Sequence, residues 1–220
     1  MDLIKFWTDC SANNIVLDKD QLDMVERFYN EFLHWNEKVN LISRKDEQHL
    51  LERHILHSMT PAKYLDIKEK ARCLDVGTGG GFPGIPLKIA LPTIHMLLCD
   101  SIGKKIKITD MLAKHTGLRN IEAINARVEE LPSISPSYVS AFDYIFSRAV
   151  AKIAVVVALS KKSLKPGGKI VFLKGGDLTA EKEEATTMFK NLKIEEIKIE
   201  MLGYDWFTRD KKKIVVCEFE

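Results

Sequence analysis

The stretch 74–86, LDVGTGGGFPGIP, places five glycines and two prolines in thirteen positions. Bare backbone at a strand end lets a nucleotide-shaped ligand approach main-chain N–H groups. Two registers fit the letters. Gly79-x-Gly81-x-x-Gly84 matches the dinucleotide fingerprint, and Gly77-x-Gly79-x-Gly81 matches a shorter loop. The first glycine makes the tight turn, so it should follow the strand at once. Leu74-Asp75-Val76 ends the strand, which makes Gly77 the turn residue. The longer register starts two residues late and puts Pro83, which has no N–H, where donors are wanted. The shorter register is favoured.

Asp100 lies 23 positions beyond Gly77, at the end of HMLLCD. A carboxylate there can accept both ribose hydroxyls of an adenosine. Gly79 and Gly81 complete the cradle, and Asp75 can orient it through the loop N–H groups. A nicotinamide dehydrogenase and an S-adenosylmethionine (SAM) methyltransferase would both use this set. Later residues separate them. A Lys-Pro-Gly-Gly turn precedes the fifth strand-like run, as is common in SAM-dependent methyltransferases, and too little chain follows for a dehydrogenase substrate domain.

The residues at the other strand ends limit the reaction. Phe146-Ser147-Arg148-Ala149 stands where amine methylation calls for a (D/N)PP(Y/F) tetrad. No cysteine nucleophile for pyrimidine-carbon methylation lies at the ends of strands four or five. The region 144–176 has no acid for a metal-dependent O-methyl transfer, and no motif suggests a metal. Guanine N7 carries a free in-plane lone pair and needs no general base, only placement. A cation is the natural partner of the guanine N7/O6 edge. Arg148 is the first candidate, with Arg127 and Lys174 at the ends of strands three and five.

These side chains need strands to carry them. Strand-like runs fall at 72–76, 93–99, 121–125, 142–147, 169–174, 193–201 and 214–219, with helix-like segments including 86–91, 103–116 and 151–164. The alternation predicts a mostly parallel sheet with helices on both faces, and the last two runs predict an antiparallel edge hairpin. Helical spacing covers 18–35, with Asp18 or Asp20 as cap, and 46–64. Residues 1–65 are expected to form an N-terminal helical region packed on a main domain of residues 66–220.

Composition agrees with a soluble chain: 45% hydrophobic, 29% charged, and no run near the roughly 20 apolar residues that span a bilayer. Four scattered cysteines without a pair pattern, and no secretory signal, predict buried thiols and a cytoplasmic location. Residues 1–60 carry 7 basic against 11 acidic groups, whereas seven basic residues and no acid lie from Arg148 to Lys174. A basic field of this kind fits a polyanionic partner. Lys152, Lys174 and the Lys104, Lys105, Lys107 cluster fall on the ligand edge and are the better phosphate candidates. Lys161, Lys162, Lys165 and Lys169 fall on the far edge. Arg44, Arg53 and His54 could meet RNA, but ion pairs with Asp46, Glu47 and Glu52 are the favoured reading of each.

Five ordered blocks, NLISRKDEQHLLERHILHS, LDVGTGGGFPGIPL, LCDSIGKKIKI, ARVEELP and FSRAVA…LKG, resemble the bacterial ribosomal RNA small-subunit methyltransferase G family. The resemblance spans about residues 30–176. It implies a class I SAM-dependent methyltransferase fold, Rossmann-like, with a mostly parallel seven-stranded sheet. It also implies methyl transfer from SAM to N7 of a guanosine in 16S rRNA, by an expected monomer with no membrane partner. By position it implies that Gly77, Phe82, Val128, Glu129 and Arg148 contact the cofactor. One departure is visible: relatives commonly carry an acid where this chain has His57. A SAM enzyme acting on a small molecule, and a non-catalytic RNA-binding module retaining SAM, remain the alternatives.

Overall fold

The computed structural model describes residues 2–220. Helices α1 (Leu3–Ala12) and α2 (Lys19–Asn36) open the chain. Asp18 is the α2 cap: its carboxylate accepts the Gln21 N–H while the Gln21 amide oxygen accepts the Asp18 N–H, a reciprocal capping box. A 3₁₀ turn (Arg44–His49), a π-helical stretch (Leu50–Leu56) and α3 (His57–Tyr64) follow without a break. The sequence spacing predicts one α-helix there. The wider turn instead leaves the Arg53 carbonyl to accept from Arg148, and π turns often sit at functional positions.

The sheet then builds by alternation: β1 (Arg72–Val76), α4 (Gly84–Ala90), β2 (His95–Asp100), α5 (Gly103–Thr116), β3 (Ile121–Asn125), α6 (Leu131–Ile134), β4 (Phe142–Arg148), α7 (Ile153–Ser160), β5 (Leu164–Lys174), α8 (Thr179–Met188), β6 (Leu192–Lys198), α9 (Trp206–Arg209) and β7 (Lys213–Phe219). Strand order is β3-β2-β1-β4-β5-β7-β6. The first five strands run parallel, and β7 inserts antiparallel between β5 and β6. Parallel central strands are buried on both faces, which is why they are near-continuous apolar runs. Alternate residues feed two cores. Cys73 and Phe146 pack with Phe28, Phe32 and Phe207 on one face, and Leu74, Val76 and Ile145 pack with Ile153 and Val157 on the other.

The N-terminal helices share the first of those cores, and the Gln21 side-chain amide donates to the Ile89 carbonyl at the end of α4. The Lys-Pro-Gly-Gly segment, read as a turn before β5, lies inside that strand. Pairing jumps from Phe142–Leu164 to Tyr144–Lys169, so the extra residues bulge out around Gly167, whose φ is +71°. All four cysteines are buried free thiols. Among the described residues no helix is long and apolar enough to cross a membrane. Strand order reverses between β1 and β4, and ligands of such sheets sit at that switch point, beyond the carboxyl ends of the strands.

Candidate active site

The glycine loop adopts the shorter register. Gly77, Gly79 and Gly81 have φ of +66°, +56° and +94°, a backbone region that L side chains rarely adopt. The Gly77 N–H donates to the Cys99 carbonyl, tying the turn to the end of β2. Asp75 orients the loop from beneath. It is fully buried, and its Oδ2 accepts from the Thr78 hydroxyl at 2.6 Å and from the Gly84 N–H at 2.9 Å. Burial pushes its carboxyl up to about 6.

Asp100 braces the loop from the side. Its Oδ2 accepts the Gly79 N–H at 2.9 Å, and its Oδ1 accepts the Ile102 N–H at 2.8 Å, which starts the turn into α5. Each carboxylate oxygen keeps a second lone pair, so the acid can still accept from a ligand's hydroxyls. Gly77, Asp100, Val128 and Glu129 line one cleft of ≈210 Å³. Val156 and Leu159 of α7 close its apolar side. Neither residue is signalled by the sequence pattern, because α7 is apolar on every face and gives no periodic signal. An apolar slot, a carboxylate at the strand end and a bare-backbone loop fit an adenosine with an amino-acid tail. Phe82 lies deeper, packed against Phe28, Phe32 and His54.

Arg148 and Lys174 line a second cleft of ≈430 Å³, together with Arg53, His54, His57 and Trp206. The turn after β4 divides the two clefts: Ala149 lines the second, Val150 and Ala151 the first. Arg127 is exposed on the first cleft and is not brought together with Arg148 and Lys174. The Arg148 guanidinium stacks 4.9 Å from the Phe82 ring centre. It donates to His54 Nδ1 at 2.8 Å and to the Arg53 carbonyl at 3.3 Å. Among the described residues no carboxylate lies within ion-pair distance of it. Burial lowers its pKa only to about 10, so it remains a cation held by neutral acceptors and a ring face.

The helical-region cations also differ from expectation. Among the described residues neither Arg44 nor Arg53 forms an ion pair; Glu47 instead accepts from the Asn36 side chain, and Arg53 packs on the Trp206 ring. His54 fixes Arg148 instead of facing outward. Lys174 and Lys152 are engaged by Glu181 at 2.6 Å and Glu184 at 2.8 Å of α8. Lys165 and Lys169 lie at the opposite end of the sheet.

Two buried histidines set a pH response. Burial, with Arg148 next, lowers His54 from 6.5 to about 3, and His57 is likewise held well below 6.5. Their stabilising effect is complete above pH 6.5 and is lost as pH falls through that window, because only the unfolded rings take up protons. Asp75 acts oppositely: its raised value adds stability as pH falls through about 6. With two groups against one, melting temperature should fall between pH 7 and pH 5 in thermal unfolding. His54→Gln should remove roughly half of the histidine part of that dependence.

The family model described as rRNA small subunit methyltransferase G matches residues 21–210. The chain is 39% identical over 178 residues to the ribosomal RNA small subunit methyltransferase G of Chlorobium phaeobacteroides, covering 81% of this chain and 78% of that protein. It is 36% identical over 208 residues to the enzyme of the same name from Bacteroides thetaiotaomicron, covering 92% and 95%. The ribosomal protein L11 methylase of Lactobacillus delbrueckii superposes with a TM-score of 0.56 at 15% identity, over 79% of each chain. The shared architecture is the class I SAM-dependent methyltransferase fold.

Proposed function

Because the chain belongs to the rRNA small subunit methyltransferase G family, we propose that it transfers a methyl group from SAM to N7 of a guanosine in 16S rRNA. The observation that carries this reading is the Arg148 cation at the end of β4, which forms no ion pair among the described residues and is fixed beside a cleft that adjoins the glycine loop. SAM, when bound, would supply a methyl carbon on a sulfonium, which a lone pair can attack while the carbon–sulfur bond breaks and its electron pair leaves on the neutral thioether. Gly77, Gly79 and Gly81 present backbone, Asp100 accepts from the ribose, and Val128 and Glu129 flank the adenine. Phe82 shapes the loop from below, and Asp75 holds it.

Arg148 orients the acceptor base. Its fork donates to guanine O6 and leaves the N7 lone pair free for the methyl carbon. No proton has to be removed from N7, so a site without a general base is sufficient, and the rate gain comes from alignment. In this reading Lys174, paired with Glu181, contacts the same nucleotide, and Arg127 meets RNA at the rim of the cofactor cleft. The reading takes one chain acting alone on the small subunit in the cytoplasm.

The test is transfer of label from methyl-tritiated SAM to mature small subunits, assembly intermediates and deproteinised 16S rRNA, all taken from cells without this modification. Label in rRNA in at least one form is expected. Bound SAM with no label in any RNA would overturn the reading.

A further inference from the structure

Buried polar atoms without partners are few in folded proteins, and each calls for an explanation. Among the described residues three of them, Arg53 Nε, His57 Nε2 and Trp206 Nε1, belong to side chains that line the same cleft as Arg148. They come from two distant parts of the chain, the π-helical stretch with α3 and the start of α9. The His57 ring stands edge-on to Trp206 at 5.8 Å and to Phe207 at 5.6 Å, and is 5% exposed. Its Nε2 is buried and has no hydrogen-bond partner, whereas its other nitrogen faces the Arg53 backbone. Burial and the nearby Arg148 and Lys212 keep the ring neutral, and with the proton on Nδ1, toward the Arg53 backbone, the lone pair falls on Nε2.

The wall therefore offers two unused donors, Arg53 Nε–H and Trp206 Nε1–H, and one unused acceptor. A phosphate could use the donors but not the acceptor. A nucleobase edge uses both kinds. With O6 on Arg148, the next atoms around a guanine ring are the N1–H and N2–H₂ donors. Adenine would place an amino group against Arg148 and a lone pair against Nε2, two mismatches on one edge.

Resting on the guanine-N7 reading above, we propose that His57 is a specificity-determining residue whose Nε2 accepts from the N1–H/N2–H₂ edge of the target guanine. The inference is compatible with the acid that the family resemblance implies at position 57 in relatives. A neutral imidazole with a free Nε2 lone pair and a carboxylate are both acceptors, so histidine here preserves the hydrogen-bond sense of an acid. The three atoms have almost no exposed surface, so Lys212 and Arg53, which lie 5.9 and 5.7 Å from the Trp206 ring, shift when the base enters.

Two substitutions test this: His57→Phe, which keeps the ring and deletes the acceptor, and His57→Asp, which restores one. Each is assayed for kcat/KM on small subunits lacking the modification, for SAM affinity and for melting temperature. His57→Phe is expected to lose roughly 10- to 100-fold in kcat/KM, with SAM affinity within twofold of the parent chain. His57→Asp is expected to recover most of that loss. Parent-like kcat/KM in His57→Phe would overturn the inference and leave the function intact. A parallel drop of SAM affinity and melting temperature in both variants would also overturn it, as a structural role. No transfer by the unsubstituted chain would instead overturn the function on which it rests.

Discussion

Arg148→Ala is expected to lower single-turnover methyl transfer to small subunits, at saturating SAM, by roughly 100- to 1,000-fold. The guanidinium is fixed by three contacts from two elements: the Phe82 ring from the glycine loop, and His54 Nδ1 and the Arg53 carbonyl from the π-helical stretch. That immobilisation is made before RNA arrives, which is how orientation contributes to rate. Lysine should not restore activity, because a point charge cannot both satisfy His54 and present a planar fork to O6. Two consequences separate this role from general electrostatic attraction. The loss should persist at saturating RNA, and it should change little with salt. Substituting an exposed lysine, such as Lys104, should instead weaken RNA binding in a salt-dependent way. An Arg148→Ala enzyme within tenfold of the parent rate would remove Arg148 from the site.

Asp100→Ala should weaken SAM binding by roughly a hundredfold, measured by calorimetric titration. The carboxylate holds the Gly79 N–H at 2.9 Å and the Ile102 N–H at 2.8 Å. Both are charge-assisted bonds, worth about 1.5–3 kcal/mol each. Their loss frees Gly79 from its positive-φ conformation and removes the ligand's acceptor in the same step. Asp100→Asn is the informative companion. Its amide oxygen can accept only one of the two N–H groups, and its NH₂ opposes the other, so affinity should fall between the parent and the alanine variant. Parent-like affinity in Asp100→Ala would place the cofactor elsewhere.

The parts of this architecture visible in the sequence are those in which local pattern and tertiary role coincide. Central parallel strands are apolar on both faces, so 72–76 coincides with the bounds of β1; 121–125 coincides with those of β3, a part-buried edge strand with alternating apolar residues. The glycine register followed from strand-end geometry, and all three glycines carry positive φ. Elements with little local signature escaped. Helix α8 buries one residue, Ala185, and so shows no apolar stripe, yet its Glu181 and Glu184 engage Lys174 and Lys152. Counting charge along the chain from Arg148 to Lys174 could not register partners that lie beyond that stretch. The Lys-Pro-Gly-Gly segment has turn chemistry but sits in a bulged strand, because β5 resumes pairing with β4 on either side of it.

The second cleft was the least legible part. Its walls join residues 53–57 to residues 206–212, two stretches far apart in the chain, and no sequence spacing links them. Arg53 and His54 lie beside acidic neighbours, so local ion pairs were the natural expectation. The fold instead turns one toward Trp206 and the other toward Arg148. A single signal was available: two histidines three positions apart, His54 and His57, on an otherwise apolar helical face.

The most direct test of the central claim, methyl transfer to guanine N7 without a general base, identifies the labelled atom. Small subunits labelled with methyl-tritiated SAM are stripped of protein, and the 16S rRNA is reduced with borohydride and treated with aniline, which breaks the chain at 7-methylguanosine. The account predicts one scission, at a guanosine that carries the label. Labelled RNA that resists scission would place the methyl group on another atom and contradict it.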